Sequence, residues 1–152
     1  MRLAAAAAVL CACQSDARHC DLASVYSDYI GGSATVFDCG NVQDDGFSGT
    51  DIALWNAAHD CVLQHAASQQ PFLARWSVQG IEAPDAGAYV GVVAEGAWQL
   101  AYFEQRGRIT GTVMPTFRHD CSALADKPSC NSLEWDLCIA CSSVGSGQQC
   151  SP

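Results

Sequence analysis

The side chains best suited to chemistry in this 152-residue chain are four histidines, His19, His59, His65 and His119, and ten cysteines. Imidazole is the only side chain whose ordinary pKa lies close to neutrality, so each histidine is a candidate general base, proton shuttle or metal ligand. His59 and His65 are six residues apart rather than the four that place two ligands on one helix face, and no HExxH occurs. His65 falls in the apolar stripe of a predicted helix, near its C-terminus, where the helix dipole favours positive charge. It reads either as a base facing a pocket or, more commonly, as a core or boundary histidine with a satisfied hydrogen bond. Gly46-Phe47-Ser48-Gly49 lacks the GxSxG spacing of a nucleophile elbow, and Ser48 reads as a turn or cap residue. Asp38, Asn41, Asp44, Asp45 and Asp51 offer oxygen ligands for Ca²⁺ but miss the EF-hand spacing. No catalytic residue, metal site or cofactor is assigned on this basis.

Cys138-Ile-Ala-Cys141 is a CxxC. A redox role would require a strand leading into a helix that begins at the motif, within a βαβ context that the flanking sequence does not offer. A zinc set drawn from Cys130, Cys138, Cys141 and Cys150 lacks the paired CxxC spacing, so structural disulfides are the expectation. Sixteen acidic residues against seven basic ones, a formal net charge of -9, argue against nucleic acid, because phosphate binding needs Lys and Arg.

The N-terminus reads as an export address. Met1 and Arg2 precede an apolar run from Leu3 to Leu10, and polar sequence starts after Cys13, a signal-peptide pattern. Leu10-Cys11-Ala12-Cys13 resembles the lipobox of bacterial lipoproteins. The resemblance implies cleavage after Ala12, diacylglycerol on the Cys13 sulfur and a membrane anchor, with ordinary secretion as the alternative. Gln14 after the lipidated position resembles lipoproteins that travel on to the outer membrane. If Cys11 leaves with the signal and Cys13 carries lipid, eight cysteines remain: Cys20, Cys39, Cys61, Cys121, Cys130, Cys138, Cys141 and Cys150. An even set in an exported chain predicts up to four disulfides, in any of 105 connectivities. The one pairing named is Cys39 with Cys61, which would tie the segment before the main helix to that helix.

These residues need elements to position them. Residues 1–12 are expected to be the signal peptide, 13–33 the lipidated Cys and a tether or partly docked arm, 34–120 an α+β domain, and 121–152 a Cys-rich tail in which disulfides replace a core. A helix is predicted over about 50–68, with Ser48, Thr50 and Asp51 as caps and Pro71 beyond its end. Leu54, Trp55, Ala58, Cys61, Val62 and Ala66 share one side of it. A short strand is expected over 34–37. Period-two alternation marks a strand over 72–79, followed by a loop over 80–87, a central strand over 89–94, a turn at Glu95-Gly96, a strand over 98–106, and an edge strand over 112–119 weakened by Pro115. The predicted fold is therefore α+β, one amphipathic helix packed on a three- or four-stranded antiparallel meander with a disulfide-rich C-terminal tail. Trp76, Trp98 and Tyr102 either cover the face that meets the helix or form a binding platform.

The mature domain is similar to small exported bacterial lipoproteins without assigned activity. The functional expectation is a lipid-anchored, extracytoplasmic, non-enzymatic interaction or structural module, with an envelope or extracellular protein or a glycan as partner. An exported hydrolase-type enzyme with a site near His65 and an inhibitor of a secreted hydrolase are the alternatives.

Overall fold

The computed structural model describes residues 20–31, 35–44, 51–79, 84–106, 115–128, 130, 136–144 and 147–150. Cys11, Cys13, His19, Asp45 and Ser48 lie outside them. In chain order the elements are α1 (Leu22–Ile30), β1 (Phe37–Asp44), α2 (Ile52–Ser68), β2 (Phe72–Gln79), β3 (Pro84–Ala94), β4 (Ala97–Arg106), β5 (Thr116–Asp126), β6 (Ile139–Ser143) and β7 (Gln148–Cys150). One sheet carries the strands in the order β1-β2-β3-β4-β5-β6, with β7 also paired to β5. β1 and β2 are parallel and joined through α2, and every other pairing is antiparallel.

The α+β class and the central meander agree with the sequence reading, but the sheet is larger and has two helices. α2 starts where Asp51 Oδ1 accepts hydrogen bonds from the N–H groups of Ala53 (3.1 Å) and Leu54 (3.3 Å). It ends at Gln69, whose left-handed backbone (φ 52°) lets its N–H reach Ala66 O, two residues before Pro71. Ala58 and Val62 are buried against Val42, Phe72, Ala74, Trp76, Tyr89 and Leu100, with Trp55, Leu63 and Ala66 alongside. Leu54 belongs to the stripe by angle but sits in the first turn and stays 59% exposed, because helix burial is complete only from Ala58 on.

The opposite face of the sheet is covered too. The segment expected to be a tether or partly docked arm holds α1, capped where Asp21 Oδ1 accepts from Ser24 N (2.9 Å) and closed at Gly31 (φ 65°). Leu22, Val25, Tyr26, Tyr29 and Ile30 pack on Ala88, Val90, Val92, Ala101 and Phe103. Tyr29 meets Phe103 edge-on at 5.4 Å and lies under the Arg118 guanidinium, and burial pushes its hydroxyl up to about 12, with the charge of Asp120 adding to the rise. With a helix on each face, β3 and β4 are buried on both sides, which is why β3 reads as a nearly continuous apolar run.

Three local features differ from the sequence expectation. The strand expected over 34–37 instead begins at Phe37, whose N–H donates to Pro71 O, and continues to Asp44 beside β2. β5 is internal rather than an edge, since β4 pairs one side and β6 and β7 the other; Pro115 precedes the strand and so removes no ladder hydrogen bond. β3 starts at Pro84 within the expected loop, because Gly87 passes under Trp76: a Cβ there would lie 2.6 Å from Trp76 Cε2.

The tail contributes more than cross-links. It supplies β6, β7 and buried Leu137 and Ile139, and the Tyr89 hydroxyl donates to Ile139 O at 2.8 Å. Four disulfides join Cys20 to Cys150, Cys39 to Cys61, Cys121 to Cys141 and Cys130 to Cys138, so all eight cysteines are paired and the pairing named from sequence is present. Four disulfides fit an oxidising, extracytoplasmic compartment. Among the described residues, no helix is long and apolar enough to cross a membrane.

Candidate functional site

The most distinctive surface is built from a β-bulge. The β1–β2 register shifts between Asp38 and Gly40, inserting Cys39 as an extra residue. Gly40 takes φ 114°, a conformation that L side chains rarely adopt, and Asp38 holds the bulge through Oδ1, which accepts from Gly40 N (2.9 Å), and Oδ2, which accepts from Arg75 Nη2 (2.6 Å). Phe37 and Cys39, two residues apart on one strand, both address α2, and the extra residue returns Val42 to that same face opposite Trp76. Cys39 bonds Cys61, and one helical turn later His65 stacks on Phe37 with ring centroids 4.6 Å apart and planes 20° apart.

Sheet register extends this cluster sideways. Phe37 pairs Phe72, Phe72 pairs Gly91, and Gly91 pairs Leu100. Gly91 leaves room for rings: a Cβ on it would lie 2.5 Å from both Phe72 Cε1 and Trp98 Cη2. Phe72 is fully buried beneath His65 (6.3 Å) and beside Trp98 (6.5 Å). Beyond it, Val93 pairs Trp98 at the sheet end. Phe37 is 55% and Val93 47% exposed, so an apolar, aromatic patch of Phe37, His65, Trp98 and Val93 faces solvent on a rigid floor. The Trp76, Trp98 and Tyr102 set divides accordingly: Trp76 is core, whereas Trp98 and Tyr102 pack partly buried against it.

His65 does not have the surroundings of a general base. Its Nδ1 is buried without a hydrogen-bond partner among the described residues, and its ring contacts are Phe37 and Phe72. The hydrogen bond expected of a boundary histidine is therefore absent at that nitrogen. His59 instead links α2 to the end of β5, with Nδ1 2.9 Å from Asp60 and Nε2 2.8 Å from Asp126. A neutral imidazole has one N–H, so both contacts are hydrogen bonds only when the ring is protonated. His119 lies 3.2 Å from Glu104 and stacks on Tyr102 at 5.8 Å, a pairing across β4 and β5 that sequence distance concealed.

The remaining candidates separate. Asp38 and Arg75 hold the bulge, Asn41 and Asp44 lie along β1, and Asp51 caps α2, so the carboxylates weighed for Ca²⁺ are spread over a strand and a helix start rather than one loop. Cys138 and Cys141 pair with Cys130 and Cys121, not with each other, which removes the redox CxxC, and the set Cys130, Cys138, Cys141 and Cys150 is divided among three disulfides.

The bulge makes a pH prediction. The backbone hydrogen bond from Gly40 and then the bond and charge of Arg75 hold the Asp38 carboxyl below its usual value. Its folded pKa is lower than its unfolded one, so its contribution to stability is complete above the ordinary carboxylate pKa and is lost as pH falls through the folded value. Asp38→Asn is expected to destabilise the protein slightly at neutral pH and to flatten the acid limb of a thermal-melting profile, while leaving alkaline behaviour unchanged.

Compared with protein-family models, with curated proteins and with solved structures, the chain matches none, so the functional reading rests on its own geometry.

Proposed function

We propose that the protein is a lipid-anchored, extracytoplasmic interaction module that binds an envelope protein through the patch of Phe37, His65, Trp98 and Val93. The observation that carries this reading is that patch: aromatic and aliphatic side chains left exposed on a disulfide-braced floor, the composition of interface centres rather than of ordinary surface. The partner it suits is a protein that offers a complementary apolar cluster.

The direction of the chain supports the same reading. The anchor proposed at Cys13 leads to Cys20, which is held by its disulfide to Cys150 and by Thr116 Oγ1 donating to Cys20 O at 2.8 Å. Thr116 pairs Gln105 at one end of the sheet, whereas Val93 and Trp98 lie at the other, seven residues along β4, or about 20 Å. A chain entering from the membrane at Cys20 thus presents the patch at its far end.

Metabolic labelling with a fatty acid tests the anchor: the wild type is expected to take up label and Cys13→Ser to take up none, and equal labelling would remove the anchor from the proposal. A photo-cross-linking residue at Val93 tests the patch.

A further inference from the structure

We propose that the Cys39–Cys61 disulfide is the oxidised form of a three-ligand zinc site completed by His65, which forms when a dithiol reductant opens the bond. The two sulfurs and one imidazole nitrogen of His65 all lie within 4.8 Å of one another. The four-residue spacing that places two ligands on one helix face, absent between His59 and His65, is present between Cys61 and His65 on α2. β1 brings Cys39 to the same point from the sheet, with its Cα 5.6 Å from that of Cys61. Zn–S bonds of about 2.3 Å in a tetrahedral site set two thiolates about 3.8 Å apart, which opening of the disulfide allows within that spacing.

His65 provides the independent observation. Its Nδ1 is buried without a hydrogen-bond partner among the described residues, so no hydrogen bond there fixes the ring against turning a nitrogen to a metal, and an unmade bond at that atom is costly. The other comparable cluster, Cys130, Asp136 and Cys138, is different: Asp136 already accepts from Cys138 N at 2.6 Å and pairs with Lys127 at 3.3 Å. Soft thiolate and imidazole donors with one position left to water suit zinc.

The chemistry balances. The dithiol becomes its own disulfide, delivering two electrons and two protons to Cys39 and Cys61; zinc then binds the two thiolates and the two protons pass to solvent.

The test uses the full chain reduced with a water-soluble phosphine, given one equivalent of Zn²⁺ and then alkylated, with modification of each cysteine followed by mass spectrometry. Zinc is expected to slow alkylation of Cys39 and Cys61 in the wild type. His65→Ala should weaken that protection by at least about tenfold, the scale on which metal sites lose affinity even when only an outer partner is removed. His65→Cys, which restores a soft ligand, should recover it. Alkylation of Cys39 and Cys61 at equal rates with and without zinc, or undiminished protection in His65→Ala, would overturn the proposal, whether or not the reduced chain keeps its fold.

Discussion

Replacing Cys20 and Cys150 together by alanine is expected to cost about 5 kcal/mol, more than the loss of any other disulfide in the chain. The bond closes a sequence separation of 130 residues, against 22, 20 and 8 for the other three. If the main effect is restriction of the unfolded chain, the benefit rises with the logarithm of loop length, from about 2.5 kcal/mol for the shortest loop to about 5 for the longest. For a domain of this size that corresponds to a fall in melting temperature of about 10–20 °C. The folded state should change little, because α1 keeps its apolar face on Ala88, Val90 and Phe103, and Thr116 keeps its bond to Cys20 O. Calorimetry of the four double-alanine variants tests the ranking; equal losses for Cys20/Cys150 and Cys130/Cys138 would show that native-state packing, not loop closure, dominates.

Gly91→Val is expected to be the most damaging single substitution in the sheet, at about 3 kcal/mol or more. Gly91 lies in the register row between fully buried Phe72 and Leu100, and its missing Cβ is the space that the Phe72 and Trp98 rings occupy. Phe72 is enclosed and cannot swing away, so the added carbons must displace backbone or eject Trp98. Gly91→Ala should destabilise too, even though alanine ordinarily favours an extended backbone over glycine by about 0.5–1 kcal/mol. Its cost should shrink in a Trp98→Ala background, where one of the two rings is gone; chemical denaturation of the four chains in that cycle reads the coupling directly. An additive result would mean that the rings are not what excludes a side chain at this position.

What could be read in advance follows from which interactions are local. The caps and stripe of α2, the alternation in β2 and the Glu95-Gly96 turn are written in adjacent residues, and the turn appears as a two-residue hairpin with positive φ at both positions (53° and 78°). α1 was also legible: Leu22, Val25, Tyr26, Tyr29 and Ile30 recur at helical spacing behind a capping Asp21, but the polar residues between them gave the segment the look of a leader. β6 and β7 are too short to carry a period, and they exist because β5 offers them an edge. The stripe of α2 marks His65, but not its neighbours: Phe37 stacks on it from β1, and Trp98 lies beyond Phe72 through cross-strand register. Parity indicated that the cysteines pair, while the individual partners depend on tertiary geometry.

On the proposed function, the anchored module meets its partner at the Phe37, His65, Trp98 and Val93 end of the sheet. The most direct measurement places a photo-cross-linking residue at Val93 and, separately, at Ser27 on the exposed side of α1, and irradiates the full chain in its native envelope. One discrete cross-linked protein is expected from position 93 and none from position 27, with the product lost when Phe37 is replaced by serine. No product at position 93, or the same product from both positions, would contradict it.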